Sequence, residues 1–555
     1  MTTRRYLGIA FVVFVALTAA LNFPQVLHLR DGVHDDGDPL LNAWALSWVV
    51  HQLPRAPAHL FDANIFYPER RTLAYSETLL LPAAASAPLR WMGAGPILVY
   101  NLVFLSGFAI SGVGTALLVR SLTGSGVAGI LSGIVFAFLP YRIDHYPHMQ
   151  LQQTQCLPFA MWAFHRLLRR GRIRDGALFG ALVAGQILSC MYYGLLLMPY
   201  FAVVCGTLWA AQRWRGGGAA WRPVLVAAVL IAGVTAPVGK AYLGAHKVVG
   251  ERPRDEVEIN GSAKLTDYLG APEENVLYGT RLAPFSRGER RLFPGFLAVA
   301  LALFGTISVL RSRSGAQNDS SAGARGTVVL AYLLGLLIAF DISLGFNGLT
   351  FRLLYEYVLP FRGLRIPARN GIIVGFSLAV LAGFGAARLR DRRWAVAIAA
   401  LMLAEYASWH IPMVHVPLEP PGVYADILRD NAGNPPAAIF EFPVSSQDDP
   451  TYMYFATFHW LPLVNGYSGF FPPSYIFLVN AVQRLPDDLS LTAIKSHGAR
   501  YLLVHGERLL GARYDELTAE LRRRPELTFV MKGPASREGQ HGEISVFRIS
   551  YAESR

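Results

Sequence analysis

The sequence is poor in charged residues and nearly devoid of cysteine. Only 16% of its 555 residues are charged, against about 25% in an ordinary soluble protein, and 53% are hydrophobic. The three cysteines, Cys156, Cys190 and Cys205, lie in apolar segments without CxxC spacing, so neither a disulfide nor a thiolate metal site is predicted. A P-loop and a GxGxxG motif after a predicted strand, the usual signals of nucleotide binding, are also missing. This composition predicts a chain that resides mainly in lipid.

Eleven apolar runs, each close to the ~20 residues that cross a hydrocarbon core, account for the hydrophobic excess. The predicted spans are 6–27, 97–119, 125–141, 151–168, 176–191, 194–212, 222–239, 294–310, 327–344, 370–387 and 394–411. The first run also fits a signal peptide, because Arg4 and Arg5 precede it. We divide the long run over 176–212 at Tyr192-Tyr193-Gly194, since one helix of that length would exceed the bilayer.

Many of the arginines behind the net charge of +12 stand in short clusters between these runs. A cytoplasmic N-terminus places the clusters on the inner side, in agreement with the positive-inside rule, and an odd number of spans then places the C-terminus outside. We therefore expect no nucleic-acid partner. The sequence predicts a multi-pass protein of the cytoplasmic (inner) membrane whose main surroundings are the lipid bilayer.

From residue 412 onward the composition is that of a soluble domain. Strand-like runs occur at 438–444, 501–504, 528–531 and 544–549, and helical character at 475–484 and 512–523. The predicted fold is a polytopic α-helical membrane domain of about eleven transmembrane helices, residues 1–411, followed by an extracytoplasmic α/β domain, residues 412–555.

Three carboxylates, Asp35, Asp36 and Asp38, open the first outer loop just before an apolar segment with tryptophans. Asp38 suits the N-cap of a helix over 40–53, which we expect on the membrane surface with its tryptophan rings at headgroup depth. A carboxylate there could deprotonate an acceptor hydroxyl, or bind a divalent cation through the Asp36-Gly37-Asp38 spacing. The alternative is a solvated turn that precedes a helix.

A second polar group follows the third predicted span and contains Arg142, Asp144, His145 and His148. So many titratable side chains at a membrane boundary need water or partners. They indicate either a functional site or an interfacial belt that faces lipid headgroups. No spacing here matches a standard zinc ligand set.

Three arginines, Arg362, Arg365 and Arg369, end the outer loop over 345–369, where the positive-inside rule does not explain them. Guanidinium groups bind phosphate oxygens in bidentate fashion, and phosphate is the head of a membrane lipid carrier. The alternative is a contact with phospholipid headgroups that has no catalytic meaning. Two further carboxylates, Asp341 and Glu405, lie within or near apolar spans and either mark a substrate path or make hydrogen bonds between helices.

Four short motifs connect these features: Gly37-Asp38-Pro39 with Asn42 and Trp44, Asn64-Ile65-Phe66-Tyr67-Pro68, Pro140-Tyr141-Arg142, and Glu289-Arg290-Arg291-Leu292-Phe293-Pro294-Gly295. With the many spans, the acidic outer loop and the outer C-terminal region, the chain resembles the GT-C superfamily of membrane glycosyltransferases. The four motifs most resemble a poorly characterised set of YfhO-like bacterial membrane proteins.

The resemblance implies transfer of a sugar from a polyprenyl-phosphate-linked donor to an outer-face acceptor, which is a glycan, a lipid or a protein. By position, the catalytic base is Asp35 or Asp36, and we favour Asp36; Asp144 is a further catalytic candidate. The candidate substrate and phosphate ligands are Arg142, His145, His148, Glu289, Arg290, Arg362, Arg365 and Arg369, with Arg365 or Arg369 preferred at the phosphate. The expected cofactor is a divalent cation, Mg²⁺ or Mn²⁺, at Asp36 and Asp38.

Two other functions remain open at this point. One is a transporter or flippase of a lipid-linked saccharide, in which Asp341 and Glu405 would line the path, and the other is a non-catalytic membrane scaffold. Because the polar groups concentrate in the outer loops, the sequence favours an enzyme. The aromatic segment 465–471 either meets a glycan or forms a seam of the C-terminal domain.

Overall fold

The computed structural model describes residues 1–214, 221–315, 320–389, 391–409, 411–509, 512–535 and 542–551. Two compact units share the chain, and neither is continuous in sequence. The first comprises Met1–Leu27, Leu102–Pro237 and Glu251–Pro412; the second comprises His28–Asn101, Val238–Gly250 and Met413–Arg555. The second unit thus includes the residues of the predicted C-terminal domain together with two segments from the predicted membrane domain.

Helices of eight residues or more dominate the first unit. They are Thr3–Leu21, Pro96–Thr123, Gly126–Phe138, Cys156–Arg170, Ile173–Ser189, Met191–Trp214, Trp221–Val249, Phe296–Gly315, Ser320–Ser343, Thr350–Tyr357, Gly371–Ala386 and Arg392–Tyr406, of which Pro96–Thr123 and Trp221–Val249 extend into the second unit. Every predicted span overlaps one of these helices.

Seven helices in the described part of the chain are long and apolar enough to cross a membrane. They are Thr3–Leu21, Pro96–Thr123, Gly126–Asp144, Met191–Trp214, Trp221–Val249, Gly323–Ser343 and Pro367–Ala386. The protein therefore has the helices of a multi-pass membrane protein. The count of eleven spans and their orientation stay predictions, and His410, at the end of the last predicted span, lies outside the described residues.

The predicted break within 176–212 is present, but it lies at Cys190, between helices Ile173–Ser189 and Met191–Trp214. Cys190 is extended, with φ −155° and ψ 106°. Gly194, where we predicted the break, continues the second helix, and a Cβ at this position would lie 3.0 Å from Ile187 Cγ1. This glycine therefore allows close packing of the two helices and does not end either of them.

Helix Gly371–Ala386 is buried along its whole length in the first unit. It packs against helix Phe296–Gly315, where a Cβ on Gly385 would come within 2.2 Å of the Leu301 carbonyl oxygen. Small residues at such a crossing let the two backbones approach, which is the usual source of van der Waals contact between membrane helices. This pair forms part of the core of the first unit.

The second unit contains two small sheets. Strands β1 (Gly32–Val33) and β2 (Val414–His415) pair antiparallel, while β3 (Ala438–Phe442), β4 (Ala499–His505), β5 (Leu527–Pro534) and β6 (Glu543–Ile549) form a sheet of order β3-β4-β6-β5. β3 and β4 are parallel, and the other two pairs are antiparallel. All four strands predicted after residue 412 are present.

The second unit also contains helices. They are Asp38–Gln52, Leu80–Trp91, Val423–Asp430, Asp449–His459, Pro473–Ala481, Asp488–Ser496 and Arg513–Arg523. Both helical segments predicted after residue 412 overlap members of this set.

The tryptophan-bearing helix Asp38–Gln52 packs within the second unit, against Leu80–Trp91 and Asp449–His459. Trp44 and Trp48 are 2% and 6% exposed, and their indole N–H groups donate to Asn64 Oδ1 at 3.1 Å and to the Leu60 carbonyl at 2.8 Å. The prediction that these rings lie at headgroup depth is therefore wrong, because protein covers them and satisfies their donors.

Candidate active site

The acidic loop of the second unit is a turn in which the three carboxylates have different surroundings. Asp35 Oδ1 accepts the Gly37 N–H at 2.8 Å, which closes an Asx turn. Asp38 is the first residue of the helix and not its N-cap, which is Gly37, and Asp38 Oδ1 accepts the Tyr467 hydroxyl at 2.9 Å. Asp36 is exposed and, among the described residues, has no hydrogen bond or ion pair. It is therefore the carboxylate of this loop most open to an incoming hydroxyl.

The aromatic segment 465–471 supports this loop from within the second unit. The Phe66 N–H donates to the Asn465 carbonyl at 3.0 Å, and a Cβ on Gly466 would lie 2.6 Å from the Phe66 ring. The motif over 64–68 and the aromatic segment thus pack tightly on each other. Tyr467 extends from that packing to Asp38 and fixes its carboxylate.

In the first unit, Glu289 binds the two arginines that we preferred at the phosphate. Arg369 contacts Glu289 Oε2 through Nε at 2.7 Å and Nη2 at 2.6 Å, while Arg365 Nη2 reaches Oε1 at 3.4 Å. Arg369 also lies over the Tyr192 ring, with 5.0 Å between the guanidinium carbon and the ring centroid. The side chain of Arg369 is 8% exposed and that of Arg365 is 40% exposed. Arg365 therefore presents a cation to solvent beside a buried ion pair.

His145 and His148 face the same carboxylate. Their Nε2 atoms lie 3.6 Å and 3.8 Å from the Glu289 oxygens. His145 Nδ1 is 3.0 Å from the Tyr141 carbonyl, so this nitrogen carries the proton and Nε2 is an acceptor in the neutral ring. Burial lowers the pKa of His145 to about 3 and outweighs the nearby charge of Glu289, so the ring is neutral at physiological pH.

Glu289 remains ionised in this cluster. Burial alone would raise its pKa, but the charge of Arg369, together with that of Arg365, holds the pKa well below its usual range. We define the Glu289 cluster as His145, His148, Glu289, Arg365 and Arg369. Its one carboxylate and two guanidinium groups give it an excess positive charge. Such a site attracts an anion.

Asp144 is held by Arg291, which belongs to the motif over 289–295 but is not among the predicted site residues. Arg291 Nη1 lies 3.0 Å from Asp144 Oδ1, and the same guanidinium also binds Glu273. Asp144 is only 6% exposed. Unlike Asp36, it is a buried, ion-paired carboxylate.

The other arginines predicted at the substrate have protein partners. All three nitrogens of the fully buried Arg142 donate to Phe136, Gln152 or Thr154. Arg362 donates to the carbonyls of Tyr355 and Glu356 near the end of helix Thr350–Tyr357. Arg290 donates to the Ile259 carbonyl at 2.9 Å. These contacts orient loops, which leaves Arg365 as the cation of the set best placed to take a new ligand.

The two carboxylates near apolar spans serve as helix caps. Asp341 accepts the N–H groups of Leu349 and Thr350, at the start of helix Thr350–Tyr357. Glu405 accepts the N–H groups of Phe296 and Leu297, at the start of helix Phe296–Gly315. Carboxylates in this position satisfy free donors and oppose the helix dipole. A structural role therefore explains both residues.

The predicted cation ligands Asp36 and Asp38 do not belong to a larger group of metal-type side chains in the described residues. Within the described ranges, one group of three His, Cys or acidic side chains has its donor atoms within 4.8 Å of one another, and neither Asp36 with Asp38 nor the Glu289 cluster belongs to it. The expected Mg²⁺ or Mn²⁺ at Asp36 and Asp38 stays a prediction.

Sequence reasoning missed a buried polar network in the second unit. His505 Nε2 lies 2.6 Å from Glu441 Oε2, and both side chains are fully buried. Burial opposes protonation of His505, but its hydrogen bonds to Glu441 and Glu507 outweigh that effect and raise the pKa to about 9. Nearby, burial raises the pKa of Asp449, which lines a pocket of about 210 Å³, to about 8. Glu441 is an acidic residue inside the apolar strand β3, and this pattern in the sequence could have indicated a buried polar network.

Comparison with solved structures finds the mycobacterial arabinofuranosyltransferase AftD, with a TM-score of 0.56 and 17% identity over 100% of this chain and 42% of that chain. The oligosaccharyltransferase AglB from Archaeoglobus fulgidus, solved with an inhibitory peptide and a dolichol-phosphate, has a TM-score of 0.47 and 13% identity over 99% of this chain and 74% of that chain. ArnT from Cupriavidus metallidurans has a TM-score of 0.37 and 12% identity over 96% of this chain and 97% of that chain. No family model and no curated protein matches the chain.

Of these three structures, AftD is the one similar enough to carry an argument, and at 17% identity that similarity concerns the fold alone. The chain corresponds to about two fifths of AftD. The chain therefore shares a fold with part of AftD, and membership of the GT-C superfamily stays a prediction. The narrower resemblance to YfhO-like proteins stays a prediction.

Proposed function

We propose that this protein is a glycosyltransferase that moves a sugar from a polyprenyl-phosphate-linked donor to a glycan, lipid or protein acceptor on the outer face of the cytoplasmic membrane. The observation that most supports the proposal is Arg365, a cation open to solvent beside the buried Arg369–Glu289 pair. The fold shared with AftD supports the same reaction class.

The leaving group of this reaction is a polyprenyl phosphate. As the bond between the anomeric carbon and the phosphate oxygen breaks, negative charge grows on that oxygen, and a guanidinium group held in place stabilises it. Arg365 takes this role. Arg369 supports it indirectly, because its ion pair with Glu289 holds the loop that carries both arginines.

The acceptor hydroxyl must lose a proton as it attacks the anomeric carbon. Asp36 takes this proton, since Asp35 closes the turn and Asp38 is held by Tyr467. A single direct attack of the acceptor oxygen on the anomeric carbon inverts the configuration of that carbon.

The role of Arg365 is tested with the purified chain in proteoliposomes. They contain a labelled polyprenyl-phosphate sugar, with arabinofuranose as the first probe, and a membrane-glycan acceptor. Arg365→Gln lowers kcat/KM for the donor on the order of 10–100-fold, the value of a charge-assisted hydrogen bond. The matched control is Arg287→Gln, which removes the same charge from an exposed position near Glu289. Equal activity of the two variants contradicts the role of Arg365.

The transporter alternative has less support, because Asp341 and Glu405 cap helices. Its test uses liposomes that contain the protein and labelled donor but no acceptor. Movement of the donor across the bilayer without transfer in the first assay would favour the transporter.

A further inference from the structure

A group of three metal-type side chains lies in the second unit, where β1 pairs with β2. His28 and Asp31 precede β1, and His415 is the last residue of β2. Their burial ranges from intermediate to exposed, and their donor atoms all lie within 4.8 Å of one another.

The backbone holds these residues together without any ion. Gly32 pairs with His415 and Val33 with Val414, the Val416 N–H donates to the Asp31 carbonyl at 2.8 Å, and the Gly32 N–H donates to the His28 carbonyl at 2.8 Å. A Cβ on Gly32 would lie 2.4 Å from Met413 Cε and 2.6 Å from His28 Cβ, so glycine permits this close approach. The three side chains are therefore brought together by main-chain geometry, and little ordering remains for a ligand to impose.

The distances between the donor atoms lie on either side of the separation that a small ion needs. Asp31 Oδ2 is 2.8 Å from His415 Nδ1, Asp31 Oδ1 is 3.9 Å from His28 Nδ1, and the two imidazole centroids are 4.8 Å apart in an edge-on arrangement. A tetrahedral ion with bonds of about 2.1 Å separates its ligands by about 3.4 Å, which lies between those two distances. Small rotations of these partly exposed side chains are enough to reach it.

We propose that His28, Asp31 and His415 form a binding site for a borderline transition-metal dication of the Zn²⁺ class, which clamps the start of the first outer loop to the segment that enters the C-terminal region. Two imidazoles and one carboxylate suit Zn²⁺, whereas Mg²⁺ and Ca²⁺ prefer sets of oxygen ligands. Water fills the remaining coordination position.

The His59–Asp62 pair of the same chain is a control for the proposed metal site. His59 and Asp62 have the same i, i+3 spacing as His28 and Asp31 and lie 3.1 Å apart at an exposed position, but no third ligand accompanies them in the described ranges. A His–Asp pair alone should therefore bind Zn²⁺ much more weakly than the triad.

The experiment uses the full chain, free of any histidine tag, in detergent and stripped with a chelator. Zn²⁺ is titrated against a competing fluorescent chelator. The wild type and His59→Gln should bind one Zn²⁺ with equal affinity at this site, while His415→Gln and Asp31→Asn should each lose at least tenfold in affinity. Mg²⁺ should not compete.

Zn²⁺ should also raise the thermal transition of the wild type but not of His415→Gln. If that variant fails to fold, Co²⁺ titrated into the wild type decides, because a tetrahedral site with two nitrogen ligands gives a visible absorption band. The proposal is overturned if no band develops, or if His415→Gln and Asp31→Asn bind Zn²⁺ as tightly as the wild type.

Discussion

Replacement of Glu289 by glutamine tests whether the Glu289 cluster is held by its central carboxylate. Arg369 makes contacts of 2.6 Å and 2.7 Å to Glu289 Oε2 and is 8% exposed, so the substitution leaves a buried guanidinium without its counter-charge. Removing one partner of a buried pair costs about 3–5 kcal/mol. Because Glu289 is 19% exposed and some water reaches it, we expect a loss near the lower end, about 3 kcal/mol.

The matched control for this prediction is Glu251→Gln. Glu251 pairs with Arg362 at 3.4 Å, and the two side chains are 41% and 36% exposed, so the loss should stay below about 1 kcal/mol. Both variants are compared by denaturant unfolding in mixed micelles, followed by far-UV circular dichroism. The reasoning is refuted if Glu289→Gln loses no more stability than Glu251→Gln.

Three further predictions follow from packing, titration and hydrogen bonding. Gly261→Ala places a Cβ 2.0 Å from the Arg365 carbonyl oxygen and should raise the KM for the donor by displacing the loop that carries Arg365. Gly363→Ala is the control, because its Cβ would have no neighbour within 4 Å and the KM should not change. Equal KM values for the two variants would contradict this prediction. Because the pKa of His505 is raised to about 9, its contribution to stability is complete below pH 6.5 and is lost as the pH rises to about 9. The free energy of unfolding should therefore fall across this pH window in the wild type, and this fall should be smaller in His505→Gln. Tyr467→Phe should cost about 1 kcal/mol by removing the donor to Asp38, and an unchanged free energy of unfolding would show that this hydrogen bond contributes nothing.

The features that depend on local composition could be predicted from the sequence. Apolar runs located the helices, since the length and hydropathy of a span are local properties. Alternating residues located β3 to β6 for the same reason. The break predicted at 192–194 lies instead at Cys190, because Gly194 serves helix packing and does not end a helix.

Features that depend on distant residues could not be predicted. The tryptophan pattern of helix Asp38–Gln52 fits a membrane surface equally well, and only the contacts with residues 60, 64 and 449–459 show that the rings are buried. The partners of the arginines posed the same difficulty. Arg142 and Arg365 look alike in sequence, yet one is enclosed by carbonyl and hydroxyl groups and the other is open to solvent.

We propose above all that the protein transfers a sugar and that Asp36 is the base. The most direct measurement uses proteoliposomes that contain a panel of labelled polyprenyl-phosphate sugars. It compares the wild type with Asp35→Asn, Asp36→Asn and Asp38→Asn. We predict that the wild type transfers at least one labelled sugar to the acceptor. Asp36→Asn should abolish transfer while the protein stays folded, and the other two variants should retain part of it. Full activity of Asp36→Asn would contradict the assignment of the base, and absence of transfer by the wild type across the panel would contradict the proposed function.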